Sequence, residues 1–213
     1  MKKKLFIYGM GGFGKEVFDC AKRMDYYNEI FYIDDFSFDN KIVFSFDYFI
    51  TNINNENCEC IVALGEVSSR NVLKDKLISH GCNFATIIDP SSIISPLAKI
   101  GVGVIICQLA FIGPDAEIGN HSLVNTGSII GHDIKISENC VISASVKIGG
   151  KSVIGQNVYL GMGSIIKEGI TIENNSILGM GSVLHSDLSA NLLALGNPAR
   201  PIRKIEDDFK VFS

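Results

Sequence analysis

The sequence lacks the features that mark nucleic-acid-binding, membrane and secreted proteins. Its 213 residues carry a formal net charge of −4 and show no basic stripe with interleaved aromatics, so nucleic acid is not expected as a partner. No apolar run approaches about 18 residues, so no membrane span is expected. The lysines after Met1 are followed by a short apolar stretch without a signal-peptide cleavage site, which predicts a cytoplasmic protein.

Paired cysteine motifs are also missing from the sequence. The six cysteines are scattered along the chain, at positions 20, 58, 60, 82, 107 and 140. Cys58 and Cys60 lack a second ligand pair at zinc-site spacing, so no metal site is predicted. We expect six reduced thiols, in keeping with a cytoplasmic protein.

The dominant feature that is present is a period of six. An aliphatic residue occupies every sixth position from Ile88 to Leu184 without interruption. Neither an α-helix nor an alternating strand has this period, whereas hexapeptide repeats coil into a parallel β-helix. Ser, Ala, Val or Cys stands four residues after most of these aliphatics, where a tight corner excludes bulk. Three hexapeptides make one triangular coil, so residues 18 apart stack on one face and no long loop is expected to project.

The first 86 residues predict a small α/β domain that precedes the β-helix. The predicted strands are Leu5–Tyr8, Glu29–Ile33 and Cys60–Leu64, the predicted helices are Lys15–Met24 and Glu66–His80, and Phe84–Ile88 leads into the β-helix. The residues expected on the inward face of the second helix are Val67, Leu73, Leu77 and Ile78. Parallel sheets of this kind bind ligands at the carboxyl ends of their strands.

A glycine-rich turn from Gly9 to Gly14 links the first strand to the first helix, the context in which a G-x-G-x-x-G-like motif is meaningful. One interpretation is NAD binding, but the domain lacks a second nucleotide-binding half and a visible hydride-transfer partner. A second is a nucleotide diphosphate, with phosphate at the helix N-terminus and with Asp34 and Asp35 bonded to base or ribose. The third is a purely structural tight turn.

Several short motifs are specific in combination. They are Tyr8-Gly9 with Gly11, Gly12 and Gly14, then Asp34-Asp35-Phe36, Ile94-Ser95-Pro96, Val124–Ser128, His132-Asp133 and Gly196–Arg200. With them, the chain resembles the nucleotide-sugar N-acetyltransferases of the bacillosamine and perosamine pathways and their relatives in sialic-acid clusters. The resemblance implies a Rossmann-like α/β domain over residues 1–86 that binds the nucleotide sugar. It also implies a left-handed β-helix over residues 87–213 that binds acetyl-CoA, in a homotrimer with active sites between subunits.

Acetyl transfer from a thioester to an amine needs a base for the amine proton and a donor for the developing oxyanion. His132 follows a glycine at a coil turn, so its ring is expected to point outward, and Asp133 can orient it. The family carries His followed by an acidic residue here, which implies His132 as the base. Relatives often have a second His nine residues further on, where this chain has Val141. Of the other histidines, His80 is interpreted as a residue at the end of a helix, and His121 and His185 are interpreted as solvated turn residues.

An internal repeat marks the predicted path of acetyl-CoA. Leu160–Ser164 recurs 18 residues later as Leu178–Ser182, and Ala144 precedes Met162 by the same interval. These side chains are expected to stack on one outer face, beside either a flexible pantetheine arm or another subunit. The predicted nucleotide-sugar ligands are Gly11, Gly12, Phe13, Asp34, Asp35, Gly65 and Asn125, and the predicted acetyl-CoA ligands are Val141, Ala144, Gly150, Met162, Met180, Pro198 and Arg200.

The leading interpretation is acetyl-CoA-dependent N-acetylation of a 4-amino-4,6-dideoxy sugar carried by UDP or dTDP. The product would enter surface-glycan synthesis, in O-antigen, capsule or glycoprotein. Two alternatives stay open, which are O-acetylation of a sialic-acid-like sugar and a non-catalytic regulatory trimer on the same scaffold. The identity of the sugar and the choice among UDP, dTDP and GDP are also open at this point.

Overall fold

The computed structural model describes residues 3–39, 41–55, 57–206 and 210–211. Its N-terminal elements are β1 (Lys4–Tyr8), α1 (Gly12–Arg23), β2 (Glu29–Ile33), β3 (Val43–Phe44), α2 (Phe46–Asn52), β4 (Cys58–Val62) and α3 (Val67–Ser79). The four strands form one parallel sheet in the order β3-β2-β1-β4. The predicted α/β class is therefore confirmed, and the carboxyl ends of β1, β2 and β4 meet at one edge.

Sequence analysis missed two short elements of this sheet. The strand β3 has two residues and α2 has seven, too few to show a clear periodicity. The helix α2 begins after Ser45, whose hydroxyl accepts a hydrogen bond from the Tyr48 amide at 3.3 Å, an N-cap that the sequence allows in hindsight. The side chains of Phe46 and Phe49 anchor this helix in the core.

The inward face of α3 differs from the prediction at one position. Val67 and Leu77 are buried as expected, but Ile78 is exposed and Arg70 is fully buried in its place. Positions 67, 70 and 77 follow the helical repeat along one side, whereas Ile78 lies about 100° round the axis from Leu77. The polar character of Arg70 had concealed this face in the sequence.

The rest of the described chain is a parallel β-helix of two-residue strands in three faces. Face 1 comprises β5 (Ile87–Ile88), β8 (Ile105–Ile106), β11 (Leu123–Val124), β14 (Val141–Ile142), β17 (Tyr159–Leu160) and β20 (Ile177–Leu178). Face 2 comprises β6 (Ile93–Ile94), β9 (Phe111–Ile112), β12 (Ile129–Ile130), β15 (Lys147–Ile148), β18 (Ile165–Ile166) and β21 (Val183–Leu184). Face 3 comprises β7 (Lys99–Ile100), β10 (Glu117–Ile118), β13 (Lys135–Ile136), β16 (Val153–Ile154) and β19 (Thr171–Ile172).

The predicted stacking interval of 18 residues is confirmed by the strand pairing. Leu123 pairs with Val141, and Ile129 pairs with Lys147, each in parallel register. The repeated aliphatics point inward and form one continuous buried core. The small residues at the corners are buried as well, and the Ser122 and Ser128 hydroxyls donate to backbone carbonyls 15 residues further on. Serine suits these corners because it is small and its buried hydroxyl is satisfied.

The outward sides of the three faces differ in character. Face 1 packs against the N-terminal sheet and α1, and its outward residues are buried, among them Ile105, Leu123 and Tyr159. Face 2 leaves Ile93, Phe111, Ile129 and Ile165 exposed. Face 3 carries charge, with Lys99 paired to Glu117 at 2.8 Å. Only face 2 therefore presents a stripe of apolar side chains to solvent in the described chain.

Polar contacts also join the N-terminal unit to the β-helix. Arg23 of α1 pairs with the buried Asp89 carboxylate at 2.6 Å. The Arg70 guanidinium donates to the His121 carbonyl at 2.6 Å and to two carbonyls at the end of β4, and burial lowers its pKa to about 10. Beneath α3, a ladder of hydrogen-bonded amide side chains runs along the β-helix, from Asn139 through Asn157 and Asn175 to Asn191.

A β-hairpin closes the C-terminal end of the β-helix. Its strands are β22 (Leu192–Gly196) and β23 (Ala199–Lys204), which pair antiparallel, and β22 joins β20 on face 1. The peptide bond between Asn197 and Pro198 at its tip is cis. Across the described ranges, no helix has the length and apolar character needed to cross a membrane.

Candidate active site

His132 and Asp133 lie at the corner that joins face 2 to face 3. The His132 Nδ1 atom is 2.7 Å from the Asp133 Oδ2 atom, and both side chains are about half exposed. Asp133 adopts the left-handed backbone conformation, with φ of 57°, which aspartate tolerates better than most residues. The imidazole thus points outward with one nitrogen held by a carboxylate and the other ring nitrogen available to a substrate.

Gly150 stands one coil beyond His132 and makes room for its ring. A Cβ atom at position 150 would lie 2.7 Å from both the Cε1 and Nε2 atoms of the imidazole. The backbone holds this stacking, since the Lys151 amide donates to the His132 carbonyl at 2.9 Å. The structure therefore places Gly150, a predicted acetyl-CoA ligand, directly against the predicted base.

The methionine column lies at another corner, the one that joins face 1 to face 2. Ala144, Met162 and Met180 stack there as the 18-residue interval predicts, because successive coils are joined by amide-to-carbonyl bonds of 2.9 and 2.8 Å. Met162 is 56% exposed and Met180 is 75% exposed. Two apolar, flexible side chains exposed to solvent on adjacent coils of this corner indicate a surface that something covers.

The tip of the C-terminal hairpin lies at the end of the methionine column. The Gly196 amide donates to the Ser182 hydroxyl at 3.0 Å, and the Leu195 side chain fills the space above Gly179. Pro198 and Arg200 are both exposed in this hairpin. The predicted acetyl-CoA ligands Ala144, Met162, Met180, Pro198 and Arg200 thus occupy one edge of the molecule.

Asn125 does not lie beside His132 within one chain. It follows β11 at the corner of the methionine column, where its Oδ1 atom accepts a bond from the Thr126 amide at 2.6 Å. His132 follows β12 at the next corner, and face 2 separates the two residues. The two could meet only across two copies of the chain.

Val141 does not fit the predicted role of acetyl-CoA ligand. It is 2% exposed on face 1 and packs in the apolar cluster that joins the β-helix to the N-terminal unit. An outward residue of face 1 is covered by α1 and the sheet, so Val141 has no surface with which to contact a ligand. Val141, nine residues after His132, lies on face 1, whereas His132 lies at the corner between faces 2 and 3.

A cavity of about 460 Å³ opens at the carboxyl edge of the N-terminal sheet. Its lining residues are Tyr8, Gly9, Ile33, Asp34, Asp35, Phe36, Leu64, Ser68, Ser69, Val72, Leu73 and Lys210. The lining thus includes both predicted aspartates. The Asp34 Oδ1 atom accepts the amides of Phe36 and Ser37 at 2.9 and 3.0 Å, which holds the loop after β2 in a turn.

Asp35 is held by three donors from distant parts of the chain. The Tyr8 hydroxyl and the Lys76 ammonium reach its Oδ2 atom at 2.5 and 3.0 Å, and the Phe46 amide reaches Oδ1 at 3.0 Å. Burial opposes ionisation, but these bonds outweigh it and lower the pKa of the Asp35 carboxyl. Burial and the carboxylate raise the pKa of the Tyr8 hydroxyl. Lys76 was missed from the sequence because nothing local ties it to a residue 41 positions away.

The glycine turn divides into structural and open positions. A side chain at Gly14 would collide with the Gly9 carbonyl, so Gly14 makes the turn possible. Gly11 caps α1, and a Cβ atom at Gly11 or Gly12 would meet nothing within 4 Å. The helix N-terminus is therefore open to an anionic ligand.

Five predicted nucleotide-sugar ligands stand outside the cavity lining, which are Asn125 on the β-helix and four residues of the N-terminal unit. Gly11, Gly12, Phe13 and Gly65 flank it at the starts of α1 and α3. The Phe13 side chain is partly buried against the apolar cluster beneath the sheet. The cavity therefore takes in only the two aspartates from the predicted set, with the glycines at its margin.

The other histidines differ from one another. His121 is half-buried with its ring centroid 4.6 Å from that of Phe84, so its interpretation as a solvated turn residue is wrong. Burial lowers the pKa of His121. His80 follows α3, with its Nδ1 atom 2.8 Å from the Lys76 carbonyl, and His185 is exposed. His132 is the histidine with a carboxylate partner among the described residues.

Two known families match the sequence. The PglD N-terminal domain family matches residues 4–77. The bacterial transferase hexapeptide family, of six repeats, matches residues 151–186. The two matches fall on the N-terminal unit and on the β-helix, in the order in which the structure arranges them.

Solved structures match over nearly the whole chain. The acetyltransferase domain of PglB from Neisseria gonorrhoeae has a TM-score of 0.89 at 26% identity, covering 94% of this chain and 100% of that one. A variant of the GDP-perosamine N-acetyl transferase from Caulobacter crescentus has a TM-score of 0.87 at 25% identity, covering 96% and 99%. The chain is accordingly an acyltransferase similar to these enzymes. Its β-helix is accordingly left-handed, as the resemblance implied.

A further match, of lower sequence identity, supports only the fold. WeeI from Acinetobacter baumannii has a TM-score of 0.85 at 24% identity, covering 94% of this chain and 100% of that one. No curated protein sequence matches the chain at a significant level. Among the described residues, the exposed His132–Asp133 pair is the arrangement best suited to accept a proton during acyl transfer.

Proposed function

We propose that this acyltransferase transfers the acetyl group of acetyl-CoA to the amino group of a nucleotide-linked sugar. The observation that carries the proposal is the His132–Asp133 pair, hydrogen-bonded at 2.7 Å and exposed against Gly150. Among the similar structures, the PglB domain is solved with acetyl coenzyme A, and PerB from Caulobacter crescentus with CoA and GDP-perosamine. Those ligands suit the chemistry of this pair.

The proposed reaction moves one proton and one acyl group. The neutral sugar amine attacks the thioester carbonyl carbon while the Nε2 atom of His132 takes the amine proton. The carbon–sulfur bond then breaks, and the CoA thiolate leaves and takes the proton from the His132 imidazolium. Asp133 fixes the ring and stabilises the imidazolium that forms. We assign the Gly150 amide, beside the ring, as a donor to the developing oxyanion.

Acetyl-CoA would lie along the methionine column. Met162 and Met180 offer flexible apolar contacts to a pantetheine arm, and Ala144 and the neighbouring glycines permit close approach of the ligand to the backbone. At the end of the column, Arg200 and Pro198 would border the CoA nucleotide, since a guanidinium is well suited to phosphate.

The nucleotide sugar would occupy the cavity of the N-terminal unit. Its base or ribose would bond to Asp34 and Asp35, and its diphosphate would approach the open start of α1 at Gly11 and Gly12. Phe13 and Gly65 would border it from the starts of α1 and α3. This arrangement divides the two substrates between the two units of the chain.

The two halves of the site would combine in a homotrimer. His132 and Asn125 lie at opposite borders of face 2, and face 2 is the apolar stripe left uncovered in the described chain. Packing face 2 against a neighbour would bury that stripe and bring the Asn125 corner of one copy to the His132 corner of the next. The active site would then be shared between subunits.

At the finer level, we propose a 4-amino-4,6-dideoxy sugar on UDP or dTDP, acetylated in the cytoplasm for a surface glycan. GDP is the nucleotide in the PerB structure, so it is the comparison to include in the assay.

The test follows release of free CoA thiol from acetyl-CoA with a panel of amino sugars linked to UDP, dTDP and GDP. Each amino sugar is paired with the matching hydroxyl sugar, which lacks the nucleophile. We expect thiol release only with an amino sugar, together with a product that carries an amide. Equal turnover of the hydroxyl sugars would indicate O-acetylation instead, and turnover of neither set would contradict the proposal.

A further inference from the structure

The C-terminal segment that follows β23 is fixed to the body of the protein at two points. The Ile205 amide donates to the Asn191 carbonyl at 2.8 Å, and the Val211 amide donates to the Glu66 Oε2 atom at 2.7 Å. Both aliphatic side chains pack against the apolar cluster between the two units. Residues 207–209 lie outside the described part, and these bonds hold Ile205 before them and Val211 after them.

This attachment sets Lys210 beside the cavity of the N-terminal unit. Glu66 directly precedes α3. Lys210, the residue before Val211, lines the cavity together with Tyr8 and Gly9. Lys210 is the basic residue among the cavity's described lining residues, where the charged groups are otherwise the carboxylates of Asp34 and Asp35.

The pairing of charges around the cavity leaves the Lys210 ammonium available to a ligand. Asp35 already has a cationic partner in Lys76, which lies 3.0 Å from its Oδ2 atom. Within the described ranges, Lys210 makes no ion pair with a carboxylate of the protein. A dianionic ligand that entered beside two aspartates would be repelled unless a cation lay near its phosphates.

We propose that Lys210, as a lining residue of the cavity, is a ligand of the nucleotide diphosphate. The inference rests on the proposed function of that cavity as the nucleotide-sugar site. The Lys210 ammonium donates to the phosphate oxygens, while the amides at the start of α1 approach the same group from the sheet side. The Glu66–Val211 bond positions the lysine and does not itself touch the ligand.

The experiment compares charged and uncharged ligands on the full-length protein. Calorimetry measures binding of UDP, dTDP and GDP, and of the matching nucleosides, to the parent protein and to Lys210→Met. Lys210→Arg tests rescue of the charge, and Lys135→Met on face 3 is the matched control for loss of an exposed lysine. We expect Lys210→Met to weaken diphosphate binding about tenfold or more, since charge-assisted bonds are the strong ones.

The remaining readouts separate a phosphate contact from a merely structural role. In Lys210→Met, nucleoside binding should be unchanged, and the salt dependence of diphosphate binding should become shallower. Lys210→Arg should restore most of the diphosphate affinity. Glu66→Ala should weaken diphosphate binding in the same direction, whereas Glu66→Gln, which keeps an acceptor oxygen, should not.

Three results would overturn the inference in distinguishable ways. A parent protein that binds neither diphosphates nor nucleosides would refute the proposed nucleotide cavity, and Lys210 with it. Unchanged diphosphate binding in Lys210→Met would refute the lysine contact and leave the proposed function standing. Equal weakening of diphosphate and nucleoside binding would show that the segment supports the fold of the cavity and not the phosphates.

Discussion

At the scale of single residues, the proposed chemistry depends on one imidazole and on the glycine beneath it. His132 has one nitrogen fixed by Asp133, and its other nitrogen is directed toward solvent beside Gly150. The neutral ring accepts a proton at that second nitrogen only if the hydrogen bond to Asp133 holds the correct tautomer. Three side-chain changes separate the contributions of the base, its orientation and the space it occupies.

His132→Ala removes the proposed base. We expect kcat to fall about 10²- to 10⁴-fold, with modest changes in the KM of either substrate. His132→Asn should be similarly impaired because an amide holds a hydrogen bond but cannot accept the proton, and Asp133→Asn should cost less. Steady-state kinetics on folded protein of unchanged oligomeric state measure these effects. A His132→Ala protein with near-normal kcat would reject the assignment of the base.

Gly150→Ala places a methyl group where the imidazole lies. The backbone at Gly150 is not in the left-handed region, so alanine is tolerated there, and the 2.7 Å contacts fall on a side chain that can move. We expect a nearly unchanged melting temperature and a kcat lowered about 100-fold, as a displacement of about 1 Å at a catalytic group can do.

The same substitution in a His132→Ala background is the control for Gly150→Ala. With no ring to displace, the added methyl group should cause little further loss of kcat, so the two changes should be strongly non-additive. Additive losses would show that Gly150 acts on the reaction independently of the ring, for example through its amide.

At the scale of elements, the attachment of α1 to the first coil depends on a buried charge. Asp89 follows β5 with its carboxylate fully buried, and Arg23 at the end of α1 supplies the cation at 2.6 Å. Burial opposes ionisation of Asp89, but bonds from Ser91 and from Arg23 outweigh it and lower the pKa of the carboxyl. A carboxylate whose pKa is lower in the folded state stabilises the fold above its unfolded pKa, about 3.9.

Arg23→Gln should therefore destabilise the protein at neutral pH and change its response to acid. Loss of the cation leaves a buried carboxylate with neutral donors such as those of Ser91 and without a cationic partner, which costs on the order of 3 kcal/mol. Stability of the parent protein should fall as the pH drops below about 4 through the lowered pKa of Asp89. The variant should show a smaller loss over that range, because its Asp89 pKa lies closer to the unfolded value.

Chemical unfolding at several pH values measures both effects of Arg23→Gln. Lys4, whose ammonium pairs with the exposed Glu29 carboxylate, provides the control, and Lys4→Gln should change stability little. Equal free energies of unfolding for the parent and Arg23→Gln at neutral pH would show that the neutral donors alone satisfy Asp89.

At the scale of the whole molecule, the three faces of the β-helix predict how copies assemble. Face 1 is covered by the N-terminal unit and face 3 is charged. Face 2 is mostly apolar, with the exposed Lys147 between Ile129 and Ile165. Ile129 and Ile165 on face 2 are 42% and 41% exposed, and Val153 on face 3 is 42% exposed. These nearly equal exposures in one chain allow a matched comparison of the two faces.

Ile165→Glu should break the proposed trimer, and Val153→Glu should leave it intact. A charge buried in an apolar interface without a partner costs several kcal/mol, whereas the same charge on face 3 stays in water. Light scattering should give a trimer for the parent and for Val153→Glu and a smaller species for Ile165→Glu, with acetyl transfer lost only in the last. An Ile165→Glu protein that remains a fully active trimer would place the interface elsewhere.

The sequence by itself determined the architecture of the β-helix and the outward position of its candidate base. A strict period of six assigns each aliphatic residue from Ile88 to Leu184 to the core and the small residues four positions later to the tight corners. Turn positions such as His132 and Met162 are left to point outward. The N-terminal strands and helices were likewise visible as apolar segments, most of them bounded by glycine, except for the two-residue β3 and the short α2. These features are local or periodic, which is why a single sequence reveals them.

Only the tertiary structure decided what covers each outward position. Val141 and Ile129 both point away from the coil, yet one is buried under the N-terminal unit and the other is exposed. Likewise, the donors to Asp35 come from positions 8, 46 and 76, and Asn125 and His132 stand at different corners. A repeat fixes which side of a strand faces inward, but contacts on the outer side join residues far apart in sequence. No local pattern encodes those contacts, because they form only when segments far apart in the sequence pack together.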